Sequence, residues 1–241
     1  MTRTLRGVAA PALAAAAAAL ALLGMEGTSW APLVHHGPVA WGGAHAGHAV
    51  PALASAAWLV GWGLMVVAMM LPGAVPFVRG VGGAVSGRSP ARERGFATAG
   101  FLGVWVVAGI AALGAVALGA GIAAGPVLVA AGLYQLSPAK RRALAHCRAH
   151  ARLLPPGWAA GRDPSGDALR AGLAHGRASV ACCGPLMAAV AVLAMDRPIL
   201  MLAAGCAMTV EAATPLGPRI SRPAGLVLLL AGVVVVALPA F

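Results

Sequence analysis

The chain has 241 residues, of which 60% are hydrophobic and 10% charged, with a mean hydropathy of +0.87 and a formal net charge of +11. So apolar a composition excludes an ordinary soluble domain and makes the bilayer the default solvent. The positive charge does not argue for nucleic acid, because the Lys and Arg residues fall in short segments between apolar runs, where orientation in a membrane explains them.

Apolar stretches fall at 7–25, 52–72, 97–118, 121–137, 172–195, 199–217 and 224–240, each near the length that crosses about 30 Å of hydrocarbon as a helix. The expected fold class is all-α: one polytopic transmembrane helix bundle of about seven spans, 1–241 forming a single membrane domain. With the N-terminus inside and the C-terminus outside, only Arg197 of the 17 Lys and Arg residues lies on the outer face. The positive-inside rule selects that orientation, in a bacterial-type plasma (inner) membrane. The first span, an Ala run behind Arg3 and Arg6, also fits a secretory signal cleaved near 24–27, which would leave six spans in the same orientation.

The outer loop 26–51 carries His35, His36, His45 and His48 among Gly and Ala. Neutral imidazoles there suit Cu(II), zinc or nickel, and a solvated loop without function reads equally well, because only Glu26 is near to orient the rings. In the second span Trp58, Trp62, Met65, Met69 and Pro72 recur at helical spacing on one face, with Met70 beside them. The stripe reads either as a packing seam or as a row of thioethers facing a soft metal such as Cu(I).

The inner basic loop 138–171 has a turn-rich composition, with Pro155-Pro156-Gly157 and Arg162-Asp163-Pro164, and reads as a connector. Within it Cys147 stands between His146 and His150 in basic surroundings that favour a low-pKa thiol ligand. The fifth span contains Cys182-Cys183-Gly184-Pro185-Leu186-Met187. Cys183 and Met187, four apart, share a face, and Pro185 leaves the Ala181 carbonyl without its helical donor. Broken helices at membrane depth are tolerated where they are buried in protein or line a cavity. The sixth span places Met201, Met208, Glu211 and Pro215 on one approximate face, with Cys206 elsewhere on the helix. A carboxylate inside a span is costly and pairs with something or serves ion or proton movement; alternatively Glu211 meets Arg219 or Arg222 at the inner end. The assumed span directions put the Met stripe, the Cys pair and Glu211 between mid-membrane and the inner half.

The four cysteines do not form a disulfide framework, and reduced thiols are expected. The chain has no C-x-x-C-H, G-x-G-x-x-G or H-E-x-x-H motif, and His175, a candidate haem axial ligand, has no matching His on an opposite span.

Four stretches together carry a family resemblance: Trp62-x2-Met65-x3-Met69-Met70-x-Pro72, Tyr134-Gln135-Leu136-x-Pro138-x-Lys140-x6-Cys147-Arg148, Cys182-Cys183-x2-Leu186-Met187 and Glu211-x3-Pro215-x-Gly217. In this order, across roughly residues 58–232, they resemble the family numbered 2182 among domains of unknown function, described as predicted metal-binding integral membrane proteins. The chain departs from that pattern at Ala143, where the family often has Cys, at Gly184, where it has Trp, and at Ala212, where it has Lys.

The resemblance implies metal binding, and the residues give it a chemistry. The expected function is membrane metal handling, with copper held by Met65, Met69, Met70, Cys182, Cys183 and Met187 and with Glu211 as a charge or proton partner; zinc and nickel are the alternative ions. Secondary candidates are His35, His36, His45, His48, Cys147, Cys206 and Met208. The expected partners are the lipid bilayer and another membrane or periplasmic metalloprotein, with no nucleic acid. Two other readings stand beside this one: a structural or assembly subunit of a membrane complex, and a membrane oxidoreductase component.

Overall fold

A computed structural model describes residues 52–84, 89–117, 124–152, 163–193, 198–214 and 216–237. The described residues form seven α-helices: α1 (Ala52–Ala84), α2 (Pro90–Ala117), α3 (Ala124–Leu136), α4 (Pro138–Arg152), α5 (Pro164–Leu193), α6 (Pro198–Ala213) and α7 (Gly217–Ala237). The first apolar stretch and the outer histidine loop lie outside them.

Proline sets several of the helix starts. Ser137 caps α4 by accepting a hydrogen bond from the Lys140 backbone N–H at 3.2 Å, and Pro138 follows in the first helical position. Asp163 caps α5 in the same way, its carboxylate accepting from Gly166 N–H at 3.0 Å ahead of Pro164. Both pairs had the composition of turns. The segment expected to be a connector therefore begins with a helix, α4, and ends by starting another.

Helices α1, α2 and α7 are long and apolar enough to cross a membrane. The apolar helices α3 and α6 have 13 and 16 residues, shorter than the stretches 121–137 and 199–217 suggested. At about 1.5 Å per residue α3 covers about 20 Å, well under the hydrocarbon thickness. The long helix α5 starts with Asp167, Arg170 and Arg177 and becomes apolar only in its second half.

The helices pack α2 on α5, α3 on α7, and α1 on both α2 and α6, while α4 lies against α5. Small residues permit these approaches. A Cβ on Gly132 would stand 2.7 Å from the Leu229 backbone nitrogen, so α3 and α7 touch backbone to backbone there. The main core gathers Trp58, Trp62, Phe101 and Trp105 above a layer of methionines and cysteines. Trp62 stacks on Trp58 with ring centroids 5.3 Å apart and donates its indole N–H to the Trp105 carbonyl at 2.8 Å.

Candidate metal centre

The sulfur atoms come from four helices. Met65, Met69 and Met70 on α1, Cys147 on α4, Cys182, Cys183 and Met187 on α5, and Met201 and Met208 on α6 are all buried in one cluster. The stripe on α1 is buried as a packing seam, with its thioethers in the same cluster as the thiols of α4 and α5. Consecutive cysteines on a helix diverge by about 100°, yet both are buried, because α5 has neighbours on several sides. Their sulfurs lie 3.5 Å apart, far outside S–S bonding distance, and the described cysteines are free thiols.

Between these helices lies a cavity of about 20 Å³, lined by Met69, Met70, Cys147, Cys183 and Met208 together with His175. That is room for one water-sized occupant. The His175 ring is sandwiched by aromatics, 4.4 Å from Phe77 and 5.5 Å from Phe101. Among the described residues no group of three or more His, Cys, Asp and Glu has the arrangement to hold a metal ion. What the cavity offers is a mixture of thiols and thioethers, the donor class that soft Cu(I) prefers.

The thiols are backed by a polar network that Pro185 makes possible. The chain's single tyrosine, Tyr134, donates its hydroxyl to the Ala181 carbonyl at 2.5 Å, supplying the bond Pro185 cannot. The single lysine, Lys140, donates to the Cys182 carbonyl at 2.9 Å and to Glu211 Oε2 at 2.7 Å. Gln135 Nε2 holds the other Glu211 oxygen at 2.7 Å. Both ends of the Lys140–Glu211 ion pair are fully removed from solvent, at 0% and 1% side-chain exposure.

Arg148 Nη2 donates to the Glu211 carbonyl at 2.8 Å and also to the Thr214 carbonyl. Leu144, Cys147, Arg148 and Lys140 lie three to four residues apart, so one face of α4 delivers a thiol and two cations to the bundle. The Cys147 thiol donates toward Cys182, and this bond together with burial pushes its titration well above the ordinary thiol value. Burial alone would pull Lys140 below the usual lysine value. The adjacent Cys182 and Cys183 sulfurs and the Glu211 carboxylate outweigh it and hold the ammonium above that value.

A protein-family model described as a copper chaperone, PpoB2, matches residues 59–235. The chain belongs to this copper-chaperone family. The match covers all of the sulfur cluster and all of the polar network behind it, and it supports a copper-related family under a name other than the numbered one the motifs resemble. No curated protein and no solved structure matches the chain.

The expected site residues are distributed as follows. Met69, Met70, Cys183, Cys147 and Met208 line the cavity, and Met65, Cys182 and Met187 are buried in the cluster around it. Glu211 faces Lys140 and Gln135; Arg219 and Arg222 are not its partners. Cys206 is exposed on α6 and outside the cluster. His35, His36, His45 and His48 lie outside the described residues. Tyr134, Gln135, Lys140 and Arg148 were not expected at the site. The signal for them is the 134–148 motif, whose cations fall in the segment that reads as a connector.

Proposed function

We propose that this protein is a membrane-embedded copper chaperone that holds one Cu(I) ion as cargo between α1, α4, α5 and α6. Cys182 and Cys183 supply thiolates, and Met69 with Met70 or Met208 supplies thioethers. Met65 and Met187 pack behind them. The observation that supports this reading is the small cavity, about 20 Å³, walled by Cys147, Cys183, Met69, Met70 and Met208 and bordered by Cys182 through its contact with Cys183. Two thiolates on one Cu(I) leave a net negative charge, and the Lys140 ammonium, bonded to the Cys182 carbonyl, is placed to offset it.

Cys147 gives the cargo a way out. It sits on α4, outside the spans, and contacts Cys182, so a ligand exchange from the Cys182–Cys183 pair to Cys147 moves the ion toward the inner face without freeing it. The recipient would be another metalloprotein presenting thiols.

Copper analysis of the purified protein beside a Cys182→Ser/Cys183→Ser variant tests the reading. Stoichiometric copper in the wild type and little in the variant is expected; equal copper in both would sink it. A purely structural role draws support from the buried Lys140–Glu211 pair, and predicts that Glu211→Gln disrupts assembly while copper content stays the same.

A further inference from the structure

A second cavity, of about 130 Å³, lies where α3, α4 and α7 meet, and shares Lys140, Leu144 and Arg148 with the face of α4 that carries Cys147. Its polar wall is made of Gln135, Lys140, Arg141, Arg148, Ser221 and Arg222. The carboxylate inventory makes this wall unusual. The chain has six Asp and Glu residues, and Glu211, already matched by Lys140, is the one in this network. A further ion pair, Arg170–Asp167, lies on the exposed start of α5, away from this wall.

Arg141, Arg148 and Arg222 share a concave wall, and among the described residues that line it there is no carboxylate. Arg148 spends its Nη2 on the Glu211 and Thr214 carbonyls, while its Nε is buried without a hydrogen-bond partner. Pro218, Ser221 and Arg222 come from the first turns of α7, so the positive end of that helix dipole adds to the same potential. Guanidinium groups lining one cavity match the planar, multi-oxygen geometry of phosphate better than that of a halide.

We propose that this cavity is a binding site for a phosphate-class anion, either the phosphodiester of an anionic lipid headgroup or free phosphate. It does not rest on the copper reading, since no thiol or thioether lines it. A bound phosphate offsets part of the charge of the three arginines and ties α4 to α7.

The test uses the full chain in phosphatidylcholine nanodiscs with and without phosphatidylglycerol, read as lipid retained on the protein by native mass spectrometry. A parallel titration with inorganic phosphate is read by calorimetry. Three proteins are compared: wild type, Arg141→Gln/Arg222→Gln, and Arg92→Gln/Arg177→Gln as a control that removes the same charge elsewhere. All four residues are exposed, so the fold is retained. Saturable binding in either arm that weakens about tenfold or more in the cavity variant alone is expected, two charges facing one phosphate setting that scale, and the arm that shows it names the source. No saturable binding in either arm, or equal weakening in the control, overturns the proposal.

Discussion

Lys140 and Glu211, 71 positions apart in sequence, meet at 2.7 Å in a site closed to solvent and so join α4 to α6 directly behind the cysteine pair. Removing one partner of such a pair strands a buried charge, which costs about 3–5 kcal/mol, whereas replacing both with apolar residues is often neutral. Lys140→Met is therefore expected to lower thermal stability sharply, and Lys140→Met/Glu211→Leu to recover most of the loss. Equal destabilisation by the single and double variants would show that the pair is not coupled.

Tyr134 and Pro185 form a second testable couple. Tyr134→Phe removes the side-chain donor to the Ala181 carbonyl, for an expected loss of about 0.5–1.5 kcal/mol. Pro185→Ala returns a backbone N–H to that carbonyl. In the Pro185→Ala background the tyrosine hydroxyl becomes dispensable, so the cost of Tyr134→Phe should largely vanish. A double-mutant cycle in denaturant measures this, and strictly additive effects would refute the capping role.

The helical class and the apolar stretches were readable because hydropathy over some twenty residues reports directly on whether a helix can shed water. The sulfur set was readable too, because Met65, Met69, Cys183 and Met187 follow helical spacing. What composition hid was α4. Its Lys140, Arg141, Arg142 and Arg148 give it the look of a solvated basic loop, and the burial of Lys140 depends on a carboxylate 71 residues away that no local pattern reveals. Helix lengths also escaped, since Ser137-Pro138 and Thr214-Pro215 interrupt apolar runs that a hydropathy window reads straight through.

Glycine at the α3–α7 crossing gives a packing prediction with a built-in contrast. A Cβ at Gly132 would stand 2.7 Å from Leu229 N and 2.9 Å from Gly225 O, both backbone atoms that cannot swing aside. Gly132→Ala should therefore destabilise, by about 1–3 kcal/mol as overpacking generally does. At Gly63 a Cβ meets nothing within 4 Å. Gly63→Ala should be neutral or stabilising by up to about 1 kcal/mol, through helix propensity alone. Thermal unfolding of the two variants side by side checks both signs.

Two methionines of the same core separate ligation from packing. Met69 lines the small sulfur cavity, whereas Met201 is equally buried in the cluster but does not line it. Met→Leu nearly conserves volume, so each substitution should cost under about 1.5 kcal/mol in stability. Only at Met69 does it also remove a sulfur from the cavity wall. Met69→Leu is expected to weaken Cu(I) affinity by on the order of tenfold or more, the scale on which metal sites respond to altered surroundings, while Met201→Leu leaves it unchanged. Competition titration against a chromophoric Cu(I) chelator measures both. Equal affinities in the two variants would return the α1 stripe to packing alone, and a loss confined to Met69→Leu would assign its thioether to the ion.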